Sequence, residues 1–252
     1  MSLQNEPKAT QTWDSLVYTV EEEKIFLRDF MYPSLVENDL SDVEIFIWDH
    51  NKERVFERAC GIIDDETNHM VAGIAFHWYS GDYFEELEMF HKLYPHLDLV
   101  FSEGCYEYSL GSLDTSKIGE KYAHDMIGNF NNYCNSFCDW NLLLNEKGGP
   151  NHVGNFCDAP IMADTQKDEV IVHDSYYYIG HFSKYVAKGA KRIGSSKFNG
   201  NLETVAFKNP DGSVVSVVLN RTDDDMKFTF RIGGQQVDCT AEAHSIATYI
   251  FS

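Results

Sequence analysis

Apolar runs that end in polar residues alternate with amphipathic stretches along the first three quarters of the chain. The runs typical of strands lie at 43–51, 71–80, 97–105 and 136–144, and the stretches typical of helices lie at 19–37, 52–67, 82–94, 116–134 and 176–186. Thr19, followed closely by three glutamates, is a capped helix start with acidic residues at the positive end of the helix dipole. Strands and helices that alternate at this length predict βα units around a parallel sheet.

The pattern changes after about residue 189, where short strand-like runs alternate around turn signals. Asn209-Pro210-Asp211-Gly212 and Gly233-Gly234 are typical of tight turns between antiparallel strands. We therefore predict an α/β domain at 1–188 and a sandwich-like antiparallel β module at 189–252. The module is too short for a complete β-sandwich, so we expect it to need strands from elsewhere in the protein.

Composition limits the classes of partner. The chain has 252 residues, of which 43% are hydrophobic and 14% aromatic, which indicates a packed globular protein. Forty acidic against twenty basic residues give a formal net charge of −20, which disfavours a nucleic acid or an anionic lipid surface as partner. A neutral, small substrate is favoured instead. No apolar run reaches the ~20 residues that a membrane-spanning helix requires.

The cysteines and the N-terminus bear on localisation. The six cysteines include no CxxC pair, which indicates reduced, mostly buried thiols, as in a cytosolic protein. Residues 1–30 lack the basic start and apolar stretch of a signal peptide. Because Met1-Ser2-Leu3 is typical of an expression remnant, the cytoplasm is favoured but the localisation stays open.

Several side chains that suit a sugar follow directly on the predicted strands. In a parallel α/β barrel the active site forms where the strands end. These positions carry Asp49, His50, His77, Trp78, Tyr79, Glu103, Asp139, Trp140 and Asn141. Aromatic faces stack on pyranose rings, and carboxylates and amides pair with hydroxyl groups. Each residue alone is more typical of core packing or of a surface ion pair, so the prediction rests on their agreement at consecutive strand ends.

Two glutamates are candidates for the paired carboxyl groups that glycoside hydrolysis requires. Glu103 follows an apolar strand and precedes a glycine, and Glu6 stands in the tripeptide NEP at 5–7. The alternative is a metal site built from Asp49, His50, His77 and Glu103. These residues lack the close spacing of metal ligands such as HxxxH. We therefore expect neither a metal nor another cofactor.

These motifs, in this order, resemble glycoside hydrolase family 30, the glucosylceramidase-like retaining β-glycosidases. The matching motifs are QNEP at 4–7, AFHWY at 75–79, FSEG at 101–104, DWNLLLNEKGGPNHVGNF at 139–156, SYYYIGHFSKYV at 175–186 and AHSIATYI at 243–250. The resemblance implies an α/β fold with a (β/α)8 TIM barrel followed by a C-terminal antiparallel β module.

The resemblance also implies roles for individual residues. Glu6 corresponds to the general acid/base and Glu103 to the nucleophile of a double displacement on a β-linked glycoside. Asn5 would hydrogen-bond the sugar 2-hydroxyl, and Tyr79 would orient the nucleophile. The other residues of the sugar pocket would be Asp49, His77, Trp78, Trp140 and Asn155. A retaining mechanism implies carboxyl groups ~5–5.5 Å apart and an acid/base with a raised pKa.

One departure from the family pattern changes the expectation. In the family the NEP motif ends the fourth barrel strand, whereas here it lies at 5–7. We therefore expect a partial TIM barrel, strands five to eight, with impaired activity, in which Glu6 lacks a strand to hold it near Glu103. The unpaired strand edges at 43–50 and 136–144 predict a homo-oligomer. The alternative is a non-catalytic fragment that binds carbohydrate or serves in assembly.

Overall fold

The computed structural model describes residues 1–111, 114–198 and 200–252, and the chain divides into two compact units. Unit 1 comprises Met1–Cys105 and Asn132–Trp140, and unit 2 comprises Tyr106–Asn131 and Asn141–Ser252. The division falls inside the part predicted to be α/β, so unit 2 contains helices as well as the β module.

Unit 1 is built on a parallel sheet with the strand order β1-β2-β3-β4. The strands are β1 (Phe46–Asn51), β2 (Gly73–His77), β3 (Asp98–Glu103) and β4 (Ser136–Phe137). Ile74, Phe76 and Phe101 are fully buried, as expected for parallel strands that are covered on both faces. The predicted strands at 43–51, 71–80 and 97–105 are confirmed. Two of them end at candidate site residues, His77 and Glu103.

The helices of unit 1 alternate with these strands. They are α1 (Val20–Ile25), α2 (Tyr32–Glu37), α3 (Val55–Ile62) and α4 (Phe84–Leu93), and a π-helical stretch at Phe26–Met31 joins the first two. Thr19 and Glu22 form a capping box at the start of α1. Pro33 lies in the first turn of α2, where a missing N–H is tolerated. The predicted helix at 19–37 is confirmed, and the one at 52–67 is shorter than expected.

The predicted strand at 136–144 is wrong in its extent. β4 ends at Phe137, and Leu143–Asn145 forms β5, a strand of a different sheet in unit 2. The Trp140 N–H donates to the Gly104 carbonyl at 3.1 Å and also to the Asp139 carboxylate at 3.0 Å. The hydrogen bond to Gly104, which is distant in sequence, bends the chain shortly after the end of β4. A pattern of apolar residues does not reveal such a break.

Unit 2 contains a second sheet and two helices. The sheet has the order β5-β6-β7, with β6 (Ile161–Asp164) parallel to β5 and antiparallel to β7 (Glu169–Val172). The helices are α5 (Thr115–Asn131) and α6 (Asp174–Ser183), which pack together where Gly119 meets the Tyr178 ring. Both helices were expected from their spacing and are confirmed with shifted ends. The sequence pattern does not predict the β6–β7 hairpin.

The rest of unit 2 is antiparallel. Its strands are β8 (Lys191–Ile193), β9 (Leu202–Lys208), β10 (Val214–Asn220), β11 (Met226–Ile232), β12 (Gln235–Ala241) and β13 (Ser245–Phe251). They form a sheet of order β13-β10-β9-β8 and the hairpin β11-β12. Gly212, Gly233 and Gly234 have φ of 93°, 55° and 80°, the left-handed region that favours glycine. Both predicted turns are confirmed.

None of the six cysteines, all of which lie among the described residues, forms a disulfide bond. Cys105, Cys134 and Cys157 are buried, Cys60 and Cys138 are exposed, and Cys239 is half-buried. The expectation of reduced cysteines agrees with this, but only half of them are buried.

Within the described ranges, no helix is both long enough and apolar enough to cross a membrane.

Candidate active site

The N-terminal residues bring Glu6 to the end of β1. The Phe46 N–H donates to the Met1 carbonyl at 2.8 Å, and Ser2 forms a parallel bridge with Phe46. The Glu6 N–H then donates to the Asp49 carbonyl at 2.9 Å. Residues 1–6 therefore run along β1 and are tied to it at both ends. The expectation that Glu6 lacks support and lies far from Glu103 is wrong.

The end of β1 has an unusual backbone. Trp48 and Asp49 have φ of 72° and 51°, and the pairing with β2 shifts its register between Trp48 and His50. The Trp48 N–H donates to a Glu23 oxygen at 2.8 Å, and Glu23 forms an ion pair with Arg58 at 3.1 Å. Both ion-pair side chains are buried. Left-handed backbone and bulges persist where surrounding contacts hold them, and here they re-aim Asp49.

His77 is the centre of the candidate site. Its Nδ1 lies 3.3 Å from Glu6 Oε1, and its Nε2 lies 3.1 Å from Asp49 Oδ1 and 3.9 Å from Glu103 Oε2. The side chain has no exposed surface. The facing atoms of Glu6, His77 and Glu103 all lie within 4.8 Å of one another. One buried imidazole therefore links both glutamates.

Asp49 and Trp78 complete the interior of the site. Asp49 Oδ1 also accepts a hydrogen bond from Ser102 Oγ at 2.6 Å. The Trp78 indole N–H donates to the Cys105 carbonyl at 3.3 Å, and the residue is 2% exposed. His77 is fully buried as well, so these three predicted pocket residues leave little surface for a sugar to touch.

Tyr79 holds the Glu103 carboxyl, and Gly104 allows close packing of the chain directly after Glu103. The Tyr79 hydroxyl donates to Glu103 Oε1 at 3.1 Å and lies 3.4 Å from Cys105 Sγ. A Cβ at Gly104 would lie 2.6 Å from the Phe101 ring. The glycine of the FSEG motif is therefore required for close packing behind the glutamate, not for a positive φ.

The remaining predicted residues are less enclosed. Asn5 is exposed, and Trp140 is 52% exposed. Asn155 belongs to unit 2, where its N–H donates to Asn151 Oδ1 at 3.1 Å and its carbonyl accepts from Asn151 Nδ2 at 2.7 Å. The structure gathers Glu6, Asp49, His77, Trp78, Tyr79 and Glu103 within unit 1.

The charges of the site depend on His77. Burial lowers its pKa, but the hydrogen bonds to Asp49 and Glu6 outweigh burial and raise the pKa to about 9. For Glu6, burial raises the pKa, but the hydrogen bond from His77 and the charges of His50 and His77 outweigh burial, so the pKa lies below its ordinary value. The Asp49 pKa is lowered in the same way, against burial, by hydrogen bonds from His77 and Ser102. His77 is therefore an imidazolium at neutral pH.

Glu103 differs from Glu6 in this respect. Burial raises its pKa, and the more distant His77 and the Tyr79 hydrogen bond do not reverse this. A family acid/base is expected to have a raised pKa and its nucleophile to be ionised. The directions found in this chain are opposite for both glutamates, because the imidazolium lies closer to Glu6, at 3.3 Å, than to Glu103, at 3.9 Å.

Two contacts of the site are missed by sequence reasoning. Gln11 Nε2 donates to Glu6 Oε2 at 2.6 Å, and Ser102 donates to Asp49. Ser102 could have been found, because it lies inside the FSEG motif that marks the site, whereas Gln11 lies in a loop without a sequence motif.

Glu6, His77 and Glu103 could offer three ligand atoms to a metal ion. Both imidazole nitrogens already face carboxylates, so a metal would have to displace a tightly held proton.

The raised pKa of His77 predicts a pH-dependent stability. Its stabilisation is fully present below the ordinary histidine pKa of ~6.5 and is lost as the pH rises through about 9, a difference of about 3 kcal/mol. We expect the free energy of unfolding to fall over this pH range in the wild type and to fall less in His77→Gln. The exposed His69→Gln variant is the control and should keep the wild-type slope. Equal slopes in all three proteins would contradict the assignment of a buried imidazolium.

Two family models match the chain. The model described as the glycosyl hydrolase family 30 TIM-barrel domain matches residues 1–186, and the one described as the glycosyl hydrolase family 30 beta sandwich domain matches residues 189–249. The prediction of a TIM-barrel domain followed by a β-sandwich domain is thus confirmed at the level of domain families.

Relatives agree with these matches. Lysosomal acid glucosylceramidase of Mus musculus is 34% identical over 271 residues, which cover 100% of this chain and 51% of that protein. The crystal structure of SrfJ from Salmonella typhimurium superimposes with a TM-score of 0.95 at 41% identity, over 99% of this chain and 56% of that one. The structure of the endo-beta1,6-glucanase BT3312 superimposes with a TM-score of 0.87 at 28% identity, over 99% of this chain and 57% of that one. The chain thus spans about half the length of its relatives.

Proposed function

The chain belongs to glycosyl hydrolase family 30, and from this premise we propose that it carries the catalytic machinery of a retaining β-glycosidase. Glu103 is the nucleophile and Glu6 the general acid/base. The observation that carries the proposal is the distance between them, since facing carboxylate oxygens lie within 4.8 Å. Retaining glycosidases hold their carboxyl groups ~5–5.5 Å apart, whereas inverting ones need ~6.5–9.5 Å to admit a water.

The reaction follows as a double displacement. Glu103 attacks the anomeric carbon while Glu6 protonates the leaving glycosidic oxygen. Because the pKa of Glu6 is lowered in the free chain, its carboxylic acid, which is the minor form at neutral pH, is the form that starts the reaction. Water then attacks the glycosyl-enzyme as Glu6 removes its proton, and Glu103 leaves with its electron pair. Asn5 pairs with the sugar 2-hydroxyl, and Tyr79 orients Glu103 through its 3.1 Å hydrogen bond. Trp140, which is 52% exposed, supplies an aromatic face for the sugar.

His77 and Asp49 support this chemistry from behind. The imidazolium sits between an ionised Asp49 and Glu6, so its charge is compensated although it is buried. Once the first step has consumed the proton of Glu6, the new carboxylate has a cation beside it. His77, held by Asp49, thus contributes to catalysis by positioning Glu6.

The substrate class is a β-glucoside. The mouse relative is named for the hydrolysis of glucosylceramide, and BT3312 is named for the hydrolysis of a β-1,6-glucan. Both contain β-linked glucose, which supports a glucosylceramidase-like activity in the broad sense. The net charge of −20 suits an uncharged sugar.

We further propose that the chain is the second half of the barrel. β1 to β4 then correspond to strands five to eight, with domains at 1–188 and 189–252. The length of the relatives and the short β4 at the end of the sheet order support this. A pocket without its other wall binds the sugar poorly, and a displacement of ~1 Å costs about 100-fold in rate.

This predicts a difference between two proteins. One is the chain alone, and the other, named the extended barrel, is this chain joined at Met1 to the upstream half of a family relative. With 4-nitrophenyl β-glucoside we expect the extended barrel to turn over at least about 100-fold faster than the chain alone. Equal rates would refute the truncated barrel. No hydrolysis by a folded extended barrel would refute the glycosidase proposal and favour the alternative of a non-catalytic carbohydrate-binding or assembly fragment.

The strand edge at β4 also supports a homo-oligomer, most simply a two-fold dimer that covers the open side of the sheet. Burial of apolar area contributes ~25 cal/mol per Å², while the charge of −20 opposes association until salt screens it. We expect sedimentation velocity at micromolar concentration and ~0.15 M salt to show a dimer. A monomer under these conditions would contradict the proposal.

A further inference from the structure

Gln11 contacts the Glu6 carboxyl from a side that His77 does not reach. Its Nε2 donates to Glu6 Oε2 at 2.6 Å, while Glu6 Oε1 faces His77 Nδ1 at 3.3 Å. The two oxygens of the carboxyl are therefore held by two different side chains. A carboxyl group with both oxygens held cannot rotate freely, and a proton donor must keep a fixed direction to the leaving group.

The loop that carries Gln11 is closed on itself. The Ala9 N–H donates to the Glu6 carbonyl at 2.9 Å, and the Tyr18 N–H donates to the Pro7 carbonyl at 2.7 Å. The Gln11 N–H donates to Ser15 Oγ at 3.2 Å. These bonds fix the loop between the NEP tripeptide and the cap of α1. Gln11 is therefore held by its own loop, and its side chain is half-buried.

The carboxamide of Gln11 suits a group that must change its protonation state. An amide offers N–H donors on one side and a carbonyl acceptor on the other. It can donate to the Glu6 carboxylate, and after a half-turn of the amide it can accept from the Glu6 carboxylic acid. A lysine or arginine could only donate and would favour the ionised form throughout.

We propose that Gln11 is a positioning residue of the glycosidase: it fixes the Glu6 carboxyl and serves both of its protonation states. This inference rests on the acid/base role proposed above for Glu6. Besides Gln11, the titratable groups that face Glu6 are His77 at 3.3 Å, His50 at 3.9 Å and Glu103, whose facing atom lies within 4.8 Å. Gln11 differs from these three in having no titratable group.

The first test is a titration of the chain itself without substrate. In protein labelled with ¹³C at glutamate Cδ, the Glu6 signal is identified by its loss in Glu6→Gln. The Gln11 amide donates to Glu6 and must turn before it can accept, so this hydrogen bond favours the carboxylate. We therefore expect Gln11→Leu to move the Glu6 midpoint to higher pH. Gln4→Leu is the matched control, since the Gln4 side chain donates to the Asn5 carbonyl at 2.9 Å, and it should leave the midpoint unchanged.

The second test is kinetic and uses the extended barrel. With 2,4-dinitrophenyl β-glucoside the first step needs no proton, so turnover reports the base step. Loss of a hydrogen bond to a charged group in the transition state lowers the rate by about tenfold or more. We therefore expect Gln11→Leu to slow turnover of this substrate by at least that factor. With 4-nitrophenyl β-glucoside the alkaline limb of the kcat/KM profile should move to higher pH. A role in loop structure alone would lower the rate without moving this limb.

The outcomes separate the two proposals. An unchanged Glu6 midpoint in folded Gln11→Leu, by circular dichroism, overturns the role of Gln11 and leaves the glycosidase proposal intact. A shifted midpoint together with full activity of Glu103→Gln overturns the glycosidase proposal instead. If Gln11→Leu does not fold, Gln11→Asn takes its place, because its amide is one methylene shorter and loses the contact with Oε2.

Discussion

Replacing Glu103 with glutamine in the extended barrel is expected to reduce the hydrolysis of 4-nitrophenyl β-glucoside by on the order of 10⁶-fold, the loss seen when another hydrolase loses its nucleophile. Glutamine keeps the shape of the side chain and the hydrogen bond with Tyr79, 3.1 Å away. It cannot form the glycosyl ester that the first step requires. The loss should therefore appear in kcat, with the fold unchanged.

A glutamate outside the site serves as the control for this substitution. Glu107 lies four residues further along the chain, and its carboxylate accepts from Ser109 Oγ at 3.2 Å. Glu107→Gln should retain wild-type activity. Substantial hydrolysis by the Glu103→Gln protein, after exclusion of deamidation by mass spectrometry, would remove Glu103 from the mechanism.

Replacing Glu6 with alanine is expected to give a loss that depends on the leaving group. Removal of a general acid costs ~10²–10⁴-fold for an alkyl β-glucoside, whose oxygen must be protonated to leave. With 2,4-dinitrophenyl β-glucoside the first step proceeds without a proton, and the glycosyl-enzyme then accumulates. Azide needs no general base, so it should restore turnover and yield the β-glucosyl azide.

The exposed Glu21 at the start of α1 provides the control for the rescue. Glu21→Ala should hydrolyse both substrates at the wild-type rate, and azide should not accelerate it. An equal loss with both substrates in Glu6→Ala, without azide rescue, would show that Glu6 does not act as the acid/base.

The sheet of unit 1 was predictable because its signals are local. The runs that became β1, β2 and β3 are apolar, and they end in polar residues at the positions where the site forms. β4 and β5 were predicted as one strand, because the turn at Asp139 and Trp140 depends on a hydrogen bond to Gly104, which is distant in sequence.

The position of Glu6 was not predictable from its neighbours in sequence. Residues 1–6 have no strand pattern, and a parallel bridge from Ser2 and a hydrogen bond to the Asp49 carbonyl hold them on β1. The direction of the Glu6 pKa was also out of reach, since it depends on the distance to His77 and on the amide of Gln11. The residue types at strand ends predict a site, but its protonation requires the geometry.

The central claim is that Glu103 forms a covalent bond with the sugar, and trapping of that intermediate tests it most directly. A 2-deoxy-2-fluoro-β-glucosyl fluoride slows both steps through the fluorine at C2, while its good leaving group speeds the first, so the glycosyl-enzyme accumulates. After reaction with the extended barrel, proteolysis and mass spectrometry should locate one fluoroglucosyl group on the peptide that contains Glu103, and none in Glu103→Gln. A label on Glu6 or on any other residue would contradict the account.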